Sequence, residues 1–302
     1  MVARALITYG LFPVTFVAGM GAAISSLHAG WSPGVTLAGI TFATILIVAL
    51  FERVHPAYPD WNRSRGDVGT DLKHGLSQVL LPPMLEAGLR AGLLTAALAV
   101  GVEGGLWPHD WPLLAQLPLA LIVSQFFEYW AHRLMHTNPL LWRLHATHHS
   151  AERLYWLNAG RFHPLDITFL FTAAIAPLVL LGAGPEVTLL YTCWATVHGL
   201  FQHCNVHVRL GPLNYIFSMA ELHRWHHSVK LTEANANYGN NILLWDIVFG
   251  TVYWPKDRDA SEVIGFENVE RFPTGWAGQI ASPWTWRRLE LEGQTMENSS
   301  PP

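Results

Sequence analysis

Histidine is the residue whose spacing in this chain predicts chemistry. Eleven of the sixteen histidines fall in short clusters. The clusters read His132-Arg-Leu-Met-His136, His145-Ala-Thr-His148-His149, the single His163, His203-Cys-Asn-Val-His207 and His223-Arg-Trp-His226-His227. On a helix, positions i, i+3 and i+4 share a face, so each cluster can direct two or three imidazoles at one point. Imidazole suits iron, copper, zinc and nickel, and so many nitrogens exceed what one ion holds. The pattern predicts a site for two metal ions.

The spacing of the histidines disfavours a structural role or a purification tag. A single histidine on an apolar face is usually structural, and a tag would be a terminal run, but these clusters are internal and lie among tryptophan and leucine. The H-E-x-x-H signature of zinc metalloproteases is absent. The isolated His28, His55, His74 and His109 are expected to be structural or surface residues, and His198 to line a pocket.

Composition indicates a membrane protein. The 302-residue chain is 51% hydrophobic and only 13% charged, and its mean hydropathy is +0.23. The stretch from Ala5 to Phe51 has no charged side chain, which is enough for two membrane spans. Further apolar stretches are Leu76–Val102, Trp111–Ala131, Leu165–Gly182 and Val187–Val206. We therefore expect an all-α fold with about four to six membrane-spanning helices; the alternative, buried helices of a large soluble domain, is disfavoured by their number and uncharged length.

The distribution of basic residues predicts the orientation in the membrane. The connections 26–32, 104–111 and 182–186 contain no Lys or Arg, whereas basic residues surround every histidine cluster. By the positive-inside rule, both termini and all the clusters lie on the cytoplasmic side.

The net charge of −4 gives no reason to propose nucleic-acid binding. Neither Cys193 nor Cys204 has a spacing that suggests a disulfide or a zinc ribbon.

The apolar stretches place the clusters at helix ends. Leu117–Ala131 is apolar enough to span, and His132 and His136 follow it without a break. Glu128 lies one turn before His132, where it could fix that imidazole by a hydrogen bond or simply lie at the interface. The hairpin from Leu165 to Val206 is expected to return to the cytoplasm at His203 and His207.

Taken together, these motifs resemble those of the fatty acid hydroxylase and sterol desaturase superfamily of integral-membrane di-iron enzymes. The similarity covers about residues 125–253. It includes the H-x-x-x-H and H-x-x-H-H boxes, Arg161-Phe-His163-Pro-Leu-Asp166, Gln202-His203-Cys-Asn205, Asn237-Tyr-Gly239 and Trp245-Asp246-Ile-Val-Phe-Gly250-Thr251.

The resemblance implies a helical membrane bundle capped by a cytoplasmic histidine-bound metal pair. The implied ligands are His132, His136, His145, His148, His149, His203, His207, His223, His226 and His227, with His163 as an eleventh candidate. Groups that could hold ligands in place are Glu128, Asp166, Asn205, Asn237 and Asp246. We expect membrane helices in residues 1–110, a catalytic region in 111–255 and a cytoplasmic tail in 256–302 that is disordered after about residue 290.

The implied reaction uses two iron ions, O2 and two electrons to hydroxylate or desaturate a C–H bond of a fatty acyl, sterol or related lipid. The chain contains no flavin or dinucleotide glycine motif, so electrons are expected from a separate ferredoxin or cytochrome b5-type protein with its reductase. The short length favours a bacterial inner membrane. Two other classes stay open: a b-type haem electron-transfer protein, which needs paired histidines within membrane helices, and a metal transporter, which needs ionisable residues along its path.

Overall fold

The computed structural model describes residues 2–100 and 105–289. The described chain is helical, with three isolated β-bridges outside the helices. The helices are α1 Val2–His28, α2 Pro33–Val54, α3 Val68–Val100, α4 Leu113–Thr137, α5 Pro139–His149, α6 Pro164–Leu181, α7 Pro185–Gln202, α8 Ala220–His226, α9 Leu231–Ala234, α10 Leu244–Phe249 and α11 Trp276–Thr285. The predicted all-α fold is confirmed.

Within the described part of the chain, the four helices α1, α2, α4 and α6 are long and apolar enough to cross a membrane. They have exposed apolar side chains, among them Val14, Phe42 and Leu180, as expected of surfaces that face lipid. The predicted membrane bundle of about four to six spanning helices is confirmed, with four candidate spans among the described residues. The other two apolar stretches form most of α3 and α7, and the expected end of the first at Val102 lies outside the described residues, as does the predicted disorder after residue 290.

Prolines set the start of several helices and so fix the loops between them. Pro33, Pro139, Pro164 and Pro185 each lie in the first turn, where the missing N–H has no helical partner to lose. The α6–α7 hairpin turns at Gly182, which has a φ of 84°, a left-handed conformation that glycine adopts without strain.

The helices pack around α4, α6 and α7. Helix α4 contacts both α6 and α7, α3 contacts α6, and α1 and α2 pack on α7. The main core is apolar, with Phe12, Leu190 and Phe201 fully enclosed. This arrangement brings the C-terminal ends of α4 and α7 to the same end of the bundle as α5 and α8, which are the elements that carry the histidines.

Beyond the bundle, the C-terminal segment covers α5 rather than extending away from it. A separate hydrophobic cluster joins Trp142 of α5 to Phe266, Phe272 and Trp286. Helix α11 contacts both α5 and α3. Residues 264–289 therefore shield the helix that carries His145, His148 and His149, although the division of the chain into three regions stays a prediction.

Candidate metal centre

Nine of the eleven clustered histidines come together in two groups, and all nine are buried. In each group, one ring nitrogen from every residue lies within 4.8 Å of the corresponding atoms of the others. The five-histidine group consists of His132, His136, His145, His149 and His226. The four-histidine group consists of His148, His203, His223 and His227.

Both H-x-x-H-H boxes contribute to both groups. Along α5, His145 and His149 belong to the five-histidine group, while His148 belongs to the other. The box at the end of α8 is divided in the same way, with His226 in the five-histidine group. The groups are therefore adjacent, and the rings of His149 and His227 stack across the boundary with centroids 4.4 Å apart.

The nitrogen atoms approach one another as closely as ligands of one ion do. His132 Nε2 lies 3.1 Å from both His145 Nε2 and His226 Nε2. In the other group, His223 Nε2 lies 2.9 Å from the Nε2 atoms of His203 and His227. Two imidazoles bound at right angles to a metal at about 2.1 Å have their nitrogens about 3 Å apart, so these separations fit metal binding.

In three rings of the five-histidine group, Nδ1 donates a hydrogen bond, which leaves the close Nε2 atoms without protons. His132 Nδ1 lies 2.7 Å from the carbonyl oxygen of Tyr238, and His226 Nδ1 lies 2.8 Å from that of Ala236. A carbonyl oxygen only accepts, so each Nδ1 carries the proton and each neutral ring presents its Nε2 lone pair. His145 Nδ1 likewise lies 3.0 Å from Asp166 Oδ2. The Nε2 lone pairs of His132, His145 and His226 therefore face one another, and none of these atoms carries a proton that could form a hydrogen bond between them. A bound cation would stabilise this arrangement.

The four-histidine group has the same orientation at two of its members. His148 Nδ1 lies 3.2 Å from the carbonyl oxygen of Arg161. His203 Nδ1 lies 3.3 Å from Asn158 Oδ1, which also accepts from the N–H of Tyr155. Both rings therefore direct an unprotonated Nε2 towards the interior of the group.

Burial keeps the histidines outside the membrane-spanning helices neutral. It lowers the pKa of His203 to about 3, and it lowers the pKa values of His148, His223, His226 and His227 well below 6.5, with neighbouring histidines adding to the effect. Neutral imidazole is the form that binds metals. At neutral pH the site is therefore ready to accept cations without first releasing protons from these rings.

Several buried ring nitrogens have no hydrogen-bond partner among the residues that the structure describes. Both nitrogens of His136 and the Nε2 of His149 are in this position. Such groups are rare in folded proteins because leaving a buried polar atom unpaired costs about 1–3 kcal/mol. A metal ion would bind one nitrogen of each ring, so the residues present fit a metal pair.

Comparison with known proteins identifies the family. The fatty acid hydroxylase family model matches residues 117–251. Ornithine lipid hydroxylase OlsE of Rhizobium tropici is 37% identical over 293 residues, which cover 94% of this chain and 86% of the relative.

The chain belongs to the fatty acid hydroxylase family.

More distant relatives agree with this assignment. Methylsterol monooxygenase 2-1 of Arabidopsis thaliana is 27% identical over 167 residues, 50% of this chain and 61% of that protein. Alkylglycerol monooxygenase of Homo sapiens is 30% identical over 150 residues, 48% of this chain and 31% of that protein. No solved structure matches. The predicted resemblance is confirmed, as is the prediction of an oxidoreductase of the lipid hydroxylase class.

Two histidines of the fatty acid hydroxylase motifs lie outside both groups. His163 caps α6: its Nδ1 accepts from the N–H of Leu165, and its Nε2 donates to the carbonyl oxygen of Ile280. His207 packs against His55 at a centroid distance of 5.5 Å. Helix α7 ends at Gln202 and residues 203–207 lie outside any helix, so His203 and His207 do not share a helix face.

Glu128 and Asn205 do not contact the histidine groups. Glu128 accepts hydrogen bonds from Gln125 and from Asn240, while His132 is oriented by a carbonyl group instead. The side chain of Asn205 bonds to the backbone of Tyr58 on both its oxygen and its nitrogen. Both residues hold neighbouring segments together, and neither orients a ligand directly.

Asp246 and Asn237 act on the loop that orients two of the rings. Asp246 accepts from the N–H groups of Tyr238 and Gly239, at 2.8 and 2.6 Å. Asn237 has a positive φ of 53° and bonds through its side chain to the backbone of Leu222 and Tyr253. These contacts fix the loop whose carbonyl oxygens, at positions 236 and 238, receive the Nδ1–H groups of His226 and His132.

Sequence reasoning missed Asn158 and the backbone carbonyls of Arg161, Ala236 and Tyr238. Asn158 lies in a short 3-10 helix, Trp156–Gly160, that contacts both α3 and α7. No spacing distinguishes it from a surface amide. Backbone carbonyls carry no side-chain signal at all, so only the folded structure reveals their role.

Asp166→Asn tests whether the carboxylate positions a metal ligand. Since Asp166 Oδ2 receives the Nδ1–H of His145, its neutralisation should weaken metal affinity about 10- to 100-fold. Competition with a chelator measures this. Glu128→Gln is the matched control, because it also neutralises a buried carboxyl close to the site; an equal loss of affinity in both variants would contradict the role of Asp166.

Proposed function

We propose that this protein is a di-iron oxygenase that hydroxylates a C–H bond of a membrane lipid. The observation that carries the proposal is the pair of adjacent, buried histidine groups, in one of which three unprotonated Nε2 atoms face one another. One oxygen atom of O2 enters the lipid, and the other leaves as water with two electrons and two protons. An iron pair held by these imidazoles would activate O2 for this reaction, which acid–base groups cannot do.

The chain's own residues hold the metal ions, exclude water and position the lipid. The nine imidazoles are neutral donors, and Asp166, Asn158 and three backbone carbonyls keep five of the rings in place. Because the site directly follows the membrane-spanning part of α4, a lipid carbon can reach it from the bilayer. Burial of every ligand keeps bulk water away from the reacting carbon.

The proposed substrate is a bacterial membrane lipid, and an ornithine-containing lipid is the first to test. The support is the 37% identity to an ornithine lipid hydroxylase over 94% of the chain. We further propose that the histidine groups face the cytoplasm of a bacterial inner membrane. Electrons then come from a soluble ferredoxin or a cytochrome b5-type protein with its reductase.

The two alternative functions fit the site less well. A b-type haem binds two axial histidines, whereas each group here gathers four or five imidazole nitrogens. A transporter needs ionisable side chains along its membrane path, and residues 5–51 contain no Asp, Glu, Lys or Arg. A Soret absorption band in the purified protein would support the haem alternative.

Lipid analysis of cells that express the protein tests the reaction. We expect one lipid class to gain the mass of one oxygen atom, with the oxygen derived from labelled O2, because hydroxylation inserts one atom of O2. Cells that express His148→Ala are the control and should lack the product. A product lighter by two hydrogen atoms would show desaturation instead, and label from water rather than O2 would contradict the oxygenase assignment.

A further inference from the structure

A cavity lies on the opposite face of α8, the helix that carries the proposed metal ligands His223 and His226. Glu221, Arg224 and Trp225 of α8 line a cavity of about 500 Å³, together with residues 207–209, Gly211 and residues 254–260. At 3.6 residues per turn, these three residues lie away from His223 and His226. The cavity is therefore separate from the two histidine groups.

Arg224 is a buried cation that has no carboxylate partner in the described part of the chain. Only 6% of the surface of Arg224 is exposed. Its Nη2 donates hydrogen bonds to the carbonyl oxygens of Cys204 and Val206, both at 2.9 Å. Its Nε has no hydrogen-bond partner, and no salt bridge to it occurs among the described residues. A buried charge is costly unless it is paired, so an anion in the cavity would stabilise this guanidinium.

Lys256 is a second cation of the cavity, since the other two basic side chains in its lining, Arg209 and Arg258, form salt bridges. Arg209 is paired with Asp259 at 2.6 Å, and Arg258 is paired with Glu233 at 3.0 Å. The ammonium group of Lys256 lies over the ring of Trp254 and interacts electrostatically with Glu221. The carboxylate of Glu221 accepts a hydrogen bond from the N–H of Leu210. Asp257 also lines the cavity and is exposed. Arg224 and Lys256 are thus the two cations that an anionic ligand would contact.

The cavity adjoins a membrane-spanning helix close to its end. Tyr9 of α1 lines it, and the N–H of Arg209 donates to the carbonyl oxygen of Thr8. Tyr9 lies about 10 Å along the helix from Val2, at 1.5 Å per residue, and its side chain is 61% exposed. Exposed tyrosines near the end of a span typically lie at the level of the lipid headgroups.

We infer that this cavity binds the anionic headgroup of a membrane lipid, through a phosphate or carboxylate held by Arg224 and Lys256. Guanidinium binds such planar or tetrahedral oxyanions with paired hydrogen bonds, and Arg and Lys side chains beside a membrane helix attract anionic headgroups. His207, which lies outside the metal groups, lines this cavity. Headgroup binding in this cavity is independent of the oxidation reaction.

Titration of the purified full-length protein in detergent with dioctanoyl phosphatidylglycerol tests the site. Native mass spectrometry, which counts bound lipid, should detect one tight site. Arg224→Gln and Lys256→Gln should each weaken it by at least about tenfold, since a charge-assisted contact of that size is lost. Arg224→Lys should retain part of the affinity because it keeps the charge.

Three comparisons decide the result. Dioctanoylglycerol, which lacks the phosphate, should not occupy the site, and Arg63→Gln, a charge change on a side chain that is 84% exposed, should leave binding unchanged. Equal affinity for inorganic phosphate would overturn the lipid assignment in favour of a soluble anion. Unchanged binding in Lys256→Gln, whose exposed side chain can be replaced without disturbing the fold, would overturn the site itself.

Discussion

Replacing His226 or His148 by alanine should abolish lipid hydroxylation while the protein still inserts into the membrane. Each removes one Nε2 donor from a different histidine group, and His226 Nε2 lies 3.1 Å from its neighbour in His132. We expect a loss of at least about a hundredfold in turnover, because ligand-orienting groups alone are worth 10- to 100-fold and a ligand is worth more. Product formation and metal content, measured on the same preparations, check this.

His207→Ala is the matched control for these two variants. His207 belongs to the same kind of H-x-x-x-H motif as His132 and His136, but it lies outside both groups. Metal content should equal that of the unmodified protein. Retained turnover in both His226→Ala and His148→Ala, or loss of metal in His207→Ala, would contradict the proposed ligand set.

Gly239→Ala should disrupt the site without touching a histidine. A Cβ at this position would lie 2.4 Å from the carbonyl oxygen of Ile242 and 2.6 Å from Asp246 Oδ2. Neither neighbour can move freely, since Asp246 also anchors the N–H of Tyr238. Overpacking costs about 1–3 kcal/mol, and weakening the hydrogen bonds to a carboxylate adds about 1.5–3 kcal/mol. We expect a lower thermal midpoint and weaker metal binding.

Gly199→Ala provides the control for this substitution. Gly199 lies inside α7, and an added Cβ would meet no atom within 4 Å. Alanine is favoured over glycine inside a helix by about 0.5–1 kcal/mol, so this variant should be as stable as the parent or slightly more so. Normal metal binding in Gly239→Ala would show that the loop at residues 236–239 does not position His132 and His226.

The helical membrane fold and most of the site follow from local sequence patterns. The apolar run before His132 predicted a helix that continues through His136, and α4 does extend to Thr137. The H-x-x-H-H spacing predicted shared helix faces, and α5 holds its three histidines in little more than a single turn. These are short-range properties, which periodicity captures.

Prediction from the sequence fails at the ends of the helices and for contacts between distant segments. The i,i+4 spacing of His203 and His207 resembled a helical pair, but α7 stops at Gln202 and an isolated bridge joins Val206 to Pro56. The division of each box between two groups depends on how α5 and α8 face each other. Glu128 lies one turn from His132, which suggested that it could orient this ring. The carbonyl oxygen of Tyr238, 106 residues away in the sequence, orients the ring instead. Such contacts arise only from tertiary packing.

Metal analysis of the intact protein, purified without chelators and under reducing conditions, is the decisive measurement for the proposed iron pair. Because nine buried imidazoles form two adjacent groups, we expect about two iron atoms per chain, magnetically coupled when oxidised. A preparation that oxidises lipid but contains one metal ion or none per chain would show that the two groups do not hold a metal pair.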